Sequence, residues 1–372
     1  MWLSCIWLVE DNLFCSWIVK NQYIFFCLLL FCNFVNLIFN KPIMSKLLKL
    51  LLFILVFIAF ISCETDFNPN AEYKDISVVY GILNKYDSVS YIKVNKAFLG
   101  EMNAYTMAQY EDSSSYGNNL EVKIEEINGG TISKVFYFDT TTIYNKEPGV
   151  FYAPNQVVYK CLTYKQFDTI NYEPLYKLII RNKKTGKLIT SSTKLVNAIY
   201  ISNPNSDYFD LPSAGKKKIE WNSVKYGKAY QLVIRFNYFE NGIPKKLDME
   251  FPAIKSKELT GNEGMVVEFP SSFFFRTIQS TIPIIPGIVR NVGKIELIVS
   301  VAADDFSTYL DVNAPSGSII QVRPEFSNIS NGIGIFSARS NNTFKNARKL
   351  ELGAKTNDSL KFGQYTRELG FQ

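Results

Sequence analysis

Ser191 stands three places before Lys194, and Lys184-Thr185-Gly186 lies just upstream. Both patterns belong to nucleophilic serine chemistry. Here their order is reversed, only a few residues separate them, no Ser-Asp-Asn accompanies them, and both fall in a predicted β-hairpin, whereas such a serine should open a helix. The match is read as coincidence. Asp304 and Asp305 offer two carboxylates for glycosidic acid–base work, but on a strand adjacent side chains point to opposite faces. Calcium binding there lacks a loop signature. Histidine is absent from the chain, which removes the commonest general base, the commonest zinc ligand and the usual partner of a nucleophilic serine or cysteine. An enzyme would have to run on carboxylates, lysine or tyrosine. The expectation is a non-enzymatic protein with no cofactor and no metal site.

Of six cysteines, Cys5, Cys15, Cys27 and Cys32 fall within the first 43 residues, leaving Cys63 and Cys161. No CxxC pair occurs, so a cysteine metal site is not expected. Cys161 sits in the strand-like VVYKCLTY and reads as a buried structural thiol. If Cys63 is modified, Cys161 has no partner for an intrachain disulfide.

Cys63 is the residue whose surroundings specify chemistry. From Met44 the chain runs MSKLLKLLLFILVFIAFISC, with Lys46 and Lys49 as a positive start and Leu50 to Phe60 as an apolar core. That is the layout of a secretory signal spanning 44–62. Phe60-Ile61-Ser62-Cys63 resembles the lipobox of bacterial lipoproteins, with Phe60 in place of the usual leucine. The resemblance implies diacylglycerol on the Cys63 sulfur and an acyl chain on its amine after cleavage. Several acyl chains anchor stably where one binds only marginally. The competing reading is a transmembrane helix containing Cys63, although the apolar run is short for a span. Residues 1–43 read either as an over-extended start, with Met44 the initiator, or as an extra hydrophobic segment over Tyr23–Phe39.

Past a polar tether at 63–74, strand-like runs alternate with turn residues. ISVVYGIL and SVSYIKVNKAFL flank the turn-forming NKYD. Leu120, Val122 and Ile124 alternate with Glu121, Lys123 and Glu125 ahead of an Asn-Gly-Gly turn. Residues 175–196 form a second hairpin around Gly186, and 102–117 read as a short helix or an exposed loop. An Asn-, Ser- and Pro-rich stretch at 197–215 marks a boundary. Beyond it, Trp221 followed by Tyr230, Leu232 and Ile234 resembles the second and third strands of fibronectin type III-like sandwiches, one indole filling the space between sheets. The expectation is an all-β chain with two immunoglobulin- or fibronectin type III-like sandwiches, at 75–198 and 199–350, and a C-terminal tail at 351–372. In SNISNGIGIF (327–336), Gly332 and Gly334 read as a turn entering a buried strand. The net charge of +6 is small and dispersed, which argues against nucleic acid as a partner.

Three segments together carry a resemblance: DISVVYGIL with DSVSYIKVNKAFLG, the hairpin YKLIIRNKKTGKLITSST, and VRPEFSNISNGIGIFSARS after DDFSTYL. They resemble surface or periplasmic lipoproteins of Bacteroidota often encoded beside TonB-dependent outer-membrane receptors. That family carries no assigned catalytic residues, so none transfers. The resemblance implies an outer-membrane lipoprotein, with Glu64 and Asp66 after Cys63 resembling a surface-export signal and the periplasmic face as the alternative. It further implies a ligand- or partner-binding module with a TonB-dependent receptor as partner. A carboxylate-dependent glycan hydrolase and a structural adhesin subunit are the alternative functions. Asp87-Ser88-Val89, Asp139-Thr140-Thr141, Asp168-Thr169-Ile170 and Asp358-Ser359-Leu360 resemble O-glycosylation sites of exported proteins of that phylum.

Overall fold

Alternation of apolar and polar residues around turn signals produces the hairpins that the sequence leads one to expect. β1 (Ser77–Asn84) and β2 (Val89–Lys96) pair antiparallel, and Asp87 N–H donates to Asn84 O at 3.1 Å to close the NKYD turn. β3 (Leu120–Asn128) buries Leu120, Val122 and Ile124, then pairs with β4 (Thr131–Ile143) across Gly129 and Gly130, both at positive φ. After β5 (Gln156–Leu162), β6 (Leu175–Asn182) and β7 (Leu188–Lys194) form the second hairpin. The computed structural model describes residues 75–98, 103–144, 146–163, 167, 173–213, 215–315, 325–341 and 348–372. Residues 1–43, the signal at 44–62, Cys63 and the tether at 63–74 lie outside the described residues.

The stretch at 197–215, expected as a boundary, carries structure. It contains β8 (Ile201–Asn203) and β9 (Tyr208–Phe209), and Phe209 is fully buried. β8 joins β10 (Lys216–Asn222) and β14 (Gly264–Pro270) in a three-stranded sheet. The long β11 (Gly227–Glu240) pairs with β12 (Ile243–Glu250), β13 (Ile254–Lys255) and β15 (Arg290–Ala303). Trp221 on β10 is buried 6.4 Å from the Tyr230 ring on β11, with Leu232 and Ile234 buried beside it, as the alternation predicts. The indole fills the space between the two sheets.

The chain is all-β in class, and its main sheet holds fourteen strands in the central order β12-β11-β15-β16-β1-β2-β5-β4-β3-β6-β7. β16 (Ile333–Asn341) runs parallel to β1, Val78 opposite Ile333 through Asn84 opposite Arg339, and antiparallel to β15 on its other side. Gly334 has φ +116°, and a Cβ there would sit 2.0 Å from Val79 O. Only glycine fits that approach. Backbone bonds between Thr190 and Ser330 bring the outer edge of β7 back to the segment that enters β16. That bridge, with the Asn331 Nδ2 bond to Leu188 O at 2.9 Å, covers part of the β7 edge.

Two hydrophobic cores result. One gathers residues from Val79 to Ile189 with Ile329 and Phe336; the other gathers Val196 to Phe371 with Ala338. β16 thus supplies both cores, and the expected division at 198/199 is crossed by one C-terminal strand. The expected tail is also folded: β17 (Arg348–Leu352) pairs with β15 and β9, and the helix Ala354–Phe362 and a 3₁₀ turn at Arg367–Leu369 bury Leu360, Leu369 and Phe371. Among the described residues no helix is long and apolar enough to cross a membrane.

Candidate functional site

The main sheet splits at one place in its first half. β2 pairs with β5 only from Val89 opposite Leu162 to Ile92 opposite Tyr159. Beyond that point β5 stays with β4, through Ile143 opposite Gln156, while Lys93 to Lys96 of β2 diverge. Two irregular pieces fill the gap. The first carries the helical turns Ala104–Ala108 and Glu111–Ser114, where the sequence offered a helix or a loop, and it meets β2 through an Asn95–Ser115 bridge. Asn103 starts the first turn, its Oδ1 accepting from Tyr105 N–H at 2.8 Å. The second is the loop at 146–155. Tyr152 N–H donates to Ala108 O at 2.8 Å, and Gln109 Nε2 donates to Gly149 O at 3.0 Å, which fastens the loop to the helical turn.

Between the splayed strands lies a cavity of about 530 Å³, within the range of small-molecule sites. Its wall surface is largely apolar, with the rings of Tyr80, Phe98, Phe151 and Tyr152, and polar side chains that include Lys93, Lys96, Lys146 and Glu111 are set between them. Lys93 Nζ donates to Gln156 Oε1 at 2.9 Å across the divergence of β2 and β5. Lys146 Nζ donates to Tyr152 O at 2.5 Å and lies 5.8 Å from the centre of the Phe151 ring. Burial, and then the nearby Lys146 charge, hold the Lys93 ammonium below its ordinary pKa. Glu111 is the one carboxylate among the described residues that line the cavity. The arrangement can desolvate a flat apolar group while presenting the neighbouring Lys93 and Lys146 ammonium groups to it, with Lys96 also on the wall.

The sequence-singled residues fall elsewhere. Cys63 lies outside the described residues. Cys161 is on β5 as expected but only partly buried; burial, then the Asp139 charge, push its thiol pKa up, which disfavours the thiolate needed for nucleophilic attack. Asp304 and Asp305 correct the strand expectation: they open the helix Asp304–Asn313, and Asn328 Nδ2 donates to Asp305 Oδ2 at 2.8 Å. Carboxylates suit the positive end of a helix. Lys184, Ser191 and Lys194 lie in the β6–β7 hairpin, and Ser191 Oγ donates to Asn328 O at 2.7 Å. Asn331, at φ +60°, and Gly332 turn the chain into β16, where Ile335 and Phe336 are buried and Ile333 is exposed. Ser88, Thr140 and Ser359 are exposed, Ser359 Oγ donating to Lys355 O at 2.9 Å within its helix; Thr169 lies outside the described residues.

Sequence reasoning passed over Lys93, Lys146 and Phe151. Lys93 sits in a strand pattern that continues unbroken past the point where pairing ends, so the split leaves no mark there. The available signal was the loop itself, where Phe151-Tyr152 stand between Gly149 and Pro154 in a connection between strands. A comparison with protein-family models finds no match, and a comparison with curated proteins finds none.

Proposed function

We propose that the chain is a lipoprotein of the bacterial outer membrane, anchored through Cys63, whose β-rich body binds a ligand or partner at the cell envelope. The observation that carries this reading is Phe60-Ile61-Ser62-Cys63, placed directly after a basic start and an apolar run and directly before a polar tether. Diacylation of the Cys63 sulfur with N-acylation of its amine would supply the several chains that stable anchoring needs. The cavity between β2 and β5 supports the binding part, since it joins apolar walls to convergent polar groups. The partner we infer is an outer-membrane TonB-dependent receptor, on the strength of the family resemblance, and Glu64 and Asp66 favour the outer face. We further read the body as two immunoglobulin- or fibronectin type III-like sandwiches joined through β16, a reading supported by its two separate buried cores.

Cys63→Ala, or globomycin treatment of the wild-type strain, is expected to leave the precursor uncleaved and to abolish labelling by radioactive palmitate. Protease added to intact cells is expected to digest the wild-type body. Unchanged processing and membrane attachment of the Cys63→Ala chain would overturn the anchor. Digestion only after the outer membrane is opened would move the body to the periplasmic face.

A further inference from the structure

We propose that the cavity between β2 and β5 binds a small amphipathic anion, its flat apolar body against Phe151 and Tyr80 and its carboxylate or phosphate held by Lys93 and Lys146. This rests on the reading of the chain as a ligand-binding module and names the ligand class for that site. The size is suited to one such molecule, about 530 Å³. Three lysines, Lys93, Lys96 and Lys146, and one carboxylate, Glu111, line the cavity, and neither Lys93 nor Lys146 makes an ion pair among the described residues. Each is instead held by a neutral oxygen, Lys93 by Gln156 Oε1 at 2.9 Å and Lys146 by Tyr152 O at 2.5 Å. The ammonium groups are therefore positioned without being neutralised. Like charges sharing partly apolar surroundings raise each other's cost, and an anion placed between them removes it. A charge-assisted hydrogen bond is worth more in such a site than in water. The aromatic walls supply the other half of the recognition. Phe151 is 52% exposed, and an aromatic ligand would cover it at an offset or edge-on angle. The lowered pKa of Lys93 agrees with a cation awaiting a counter-charge.

Naphthoate, naphthyl phosphate and the neutral naphthyl methanol serve as probes, titrated calorimetrically into the full chain in a nonionic detergent, with matched empty micelles as the blank. Both anions, or one of them, are expected to bind measurably tighter than the alcohol, and the comparison of carboxylate with phosphate identifies the head group. Lys93→Gln and Lys146→Gln should each weaken the preferred anion about tenfold, the order expected for losing one charged hydrogen bond, while leaving the alcohol unchanged. Phe151→Ala should weaken all three probes, and Lys246→Gln on the distant β12 should change none. Lys146→Arg, which keeps the charge, should retain anion binding; its loss with an unaltered thermal midpoint would count against the proposal. Equal affinity for anion and alcohol, indifference to both lysine substitutions, or no binding at millimolar probe would overturn it. Palmitate on Cys63 is read separately. A lipidated chain that ignores the probes sinks the anion site alone, and an unlipidated chain that binds them sinks only the anchor.

Discussion

Arg290 is fully buried on β15, and its guanidinium makes four hydrogen bonds to three acceptors in three separate segments. Glu240 Oε2 accepts from Nε at 2.9 Å and Nη2 at 2.8 Å, Leu369 O from Nη1 at 2.5 Å, and Pro283 O from Nη2 at 3.0 Å. Its backbone also brackets the C-terminus, Arg290 N–H donating to Gly370 O and Gln372 N–H donating to Arg290 O. A buried ion pair is weak support for stability when compared with an apolar replacement of the whole pair, but removing one member strands the other. Arg290→Met is therefore expected to cost about 3–5 kcal/mol, read as a fall in the urea midpoint, because Glu240 and two carbonyls lose their donor together. A change below about 1 kcal/mol, the level of an exposed pair, would mean that water replaces the guanidinium. Nothing in the sequence marks this residue. An arginine followed by Asn-Val-Gly reads as a strand start, and its partners are brought to it only by tertiary folding. Trp221 is the opposite case: burial at every second position of β11 is a local pattern, so the indole's place between sheets was legible before any contact was known.

The C-terminal elements show the same contrast between local and distant determinants. Residues 351–372 hold few apolar side chains, which reads as a tail, yet three of them are packed into the core while Phe362 stays exposed. Leu360 and Leu369 are buried, and the Phe371 ring lies 5.7 Å from that of Phe236 and 6.0 Å from that of Tyr238. Thr356 Oγ accepts from Leu211 N–H at 2.9 Å, tying the helix Ala354–Phe362 to the stretch that read as a boundary. That helix lacks a side-chain cap and is held by packing, as short helices generally are. The same weakness of local signal explains Asp304-Asp305: the helix there starts behind Ala303, with no capping side chain to announce it, at the end of a strongly apolar strand. Phe371→Ala is expected to destabilise the chain by about 3–5 kcal/mol, the usual cost of emptying a buried phenyl site. A chain ending at Leu352 should be insoluble or bind a hydrophobic dye in its native buffer. Truncation without loss of stability would make the segment the tail that its composition suggests.

At the scale of the whole molecule, the hairpins were legible because their partners are neighbours in sequence, and the β1–β16 pair was not, because nearly all of both halves of the chain separates its strands. The consequence is a strand that two cores share. Phe336 packs in the first core and Ala338, two residues on, in the second, while β1 and β15 flank the strand on either side. Folding of the first half therefore waits for residues that follow the second, and the halves should lose structure together. In the chain from Cys63 onward Trp221 is the sole tryptophan, so its emission reports the second core alone, whereas far-ultraviolet circular dichroism reports both halves. The two urea curves are expected to coincide. Gly334→Ala, which forces a side chain against Val79 O at a backbone angle glycine alone tolerates well, should shift both to lower urea by the same amount. Separate transitions, or a shift confined to the dichroism curve while Trp221 emission holds, would show the halves to be independent and β16 to be a clasp between them. Coincident curves would instead make Ile329 and Phe336 part of what folds the first half, since without them its core is open along β1.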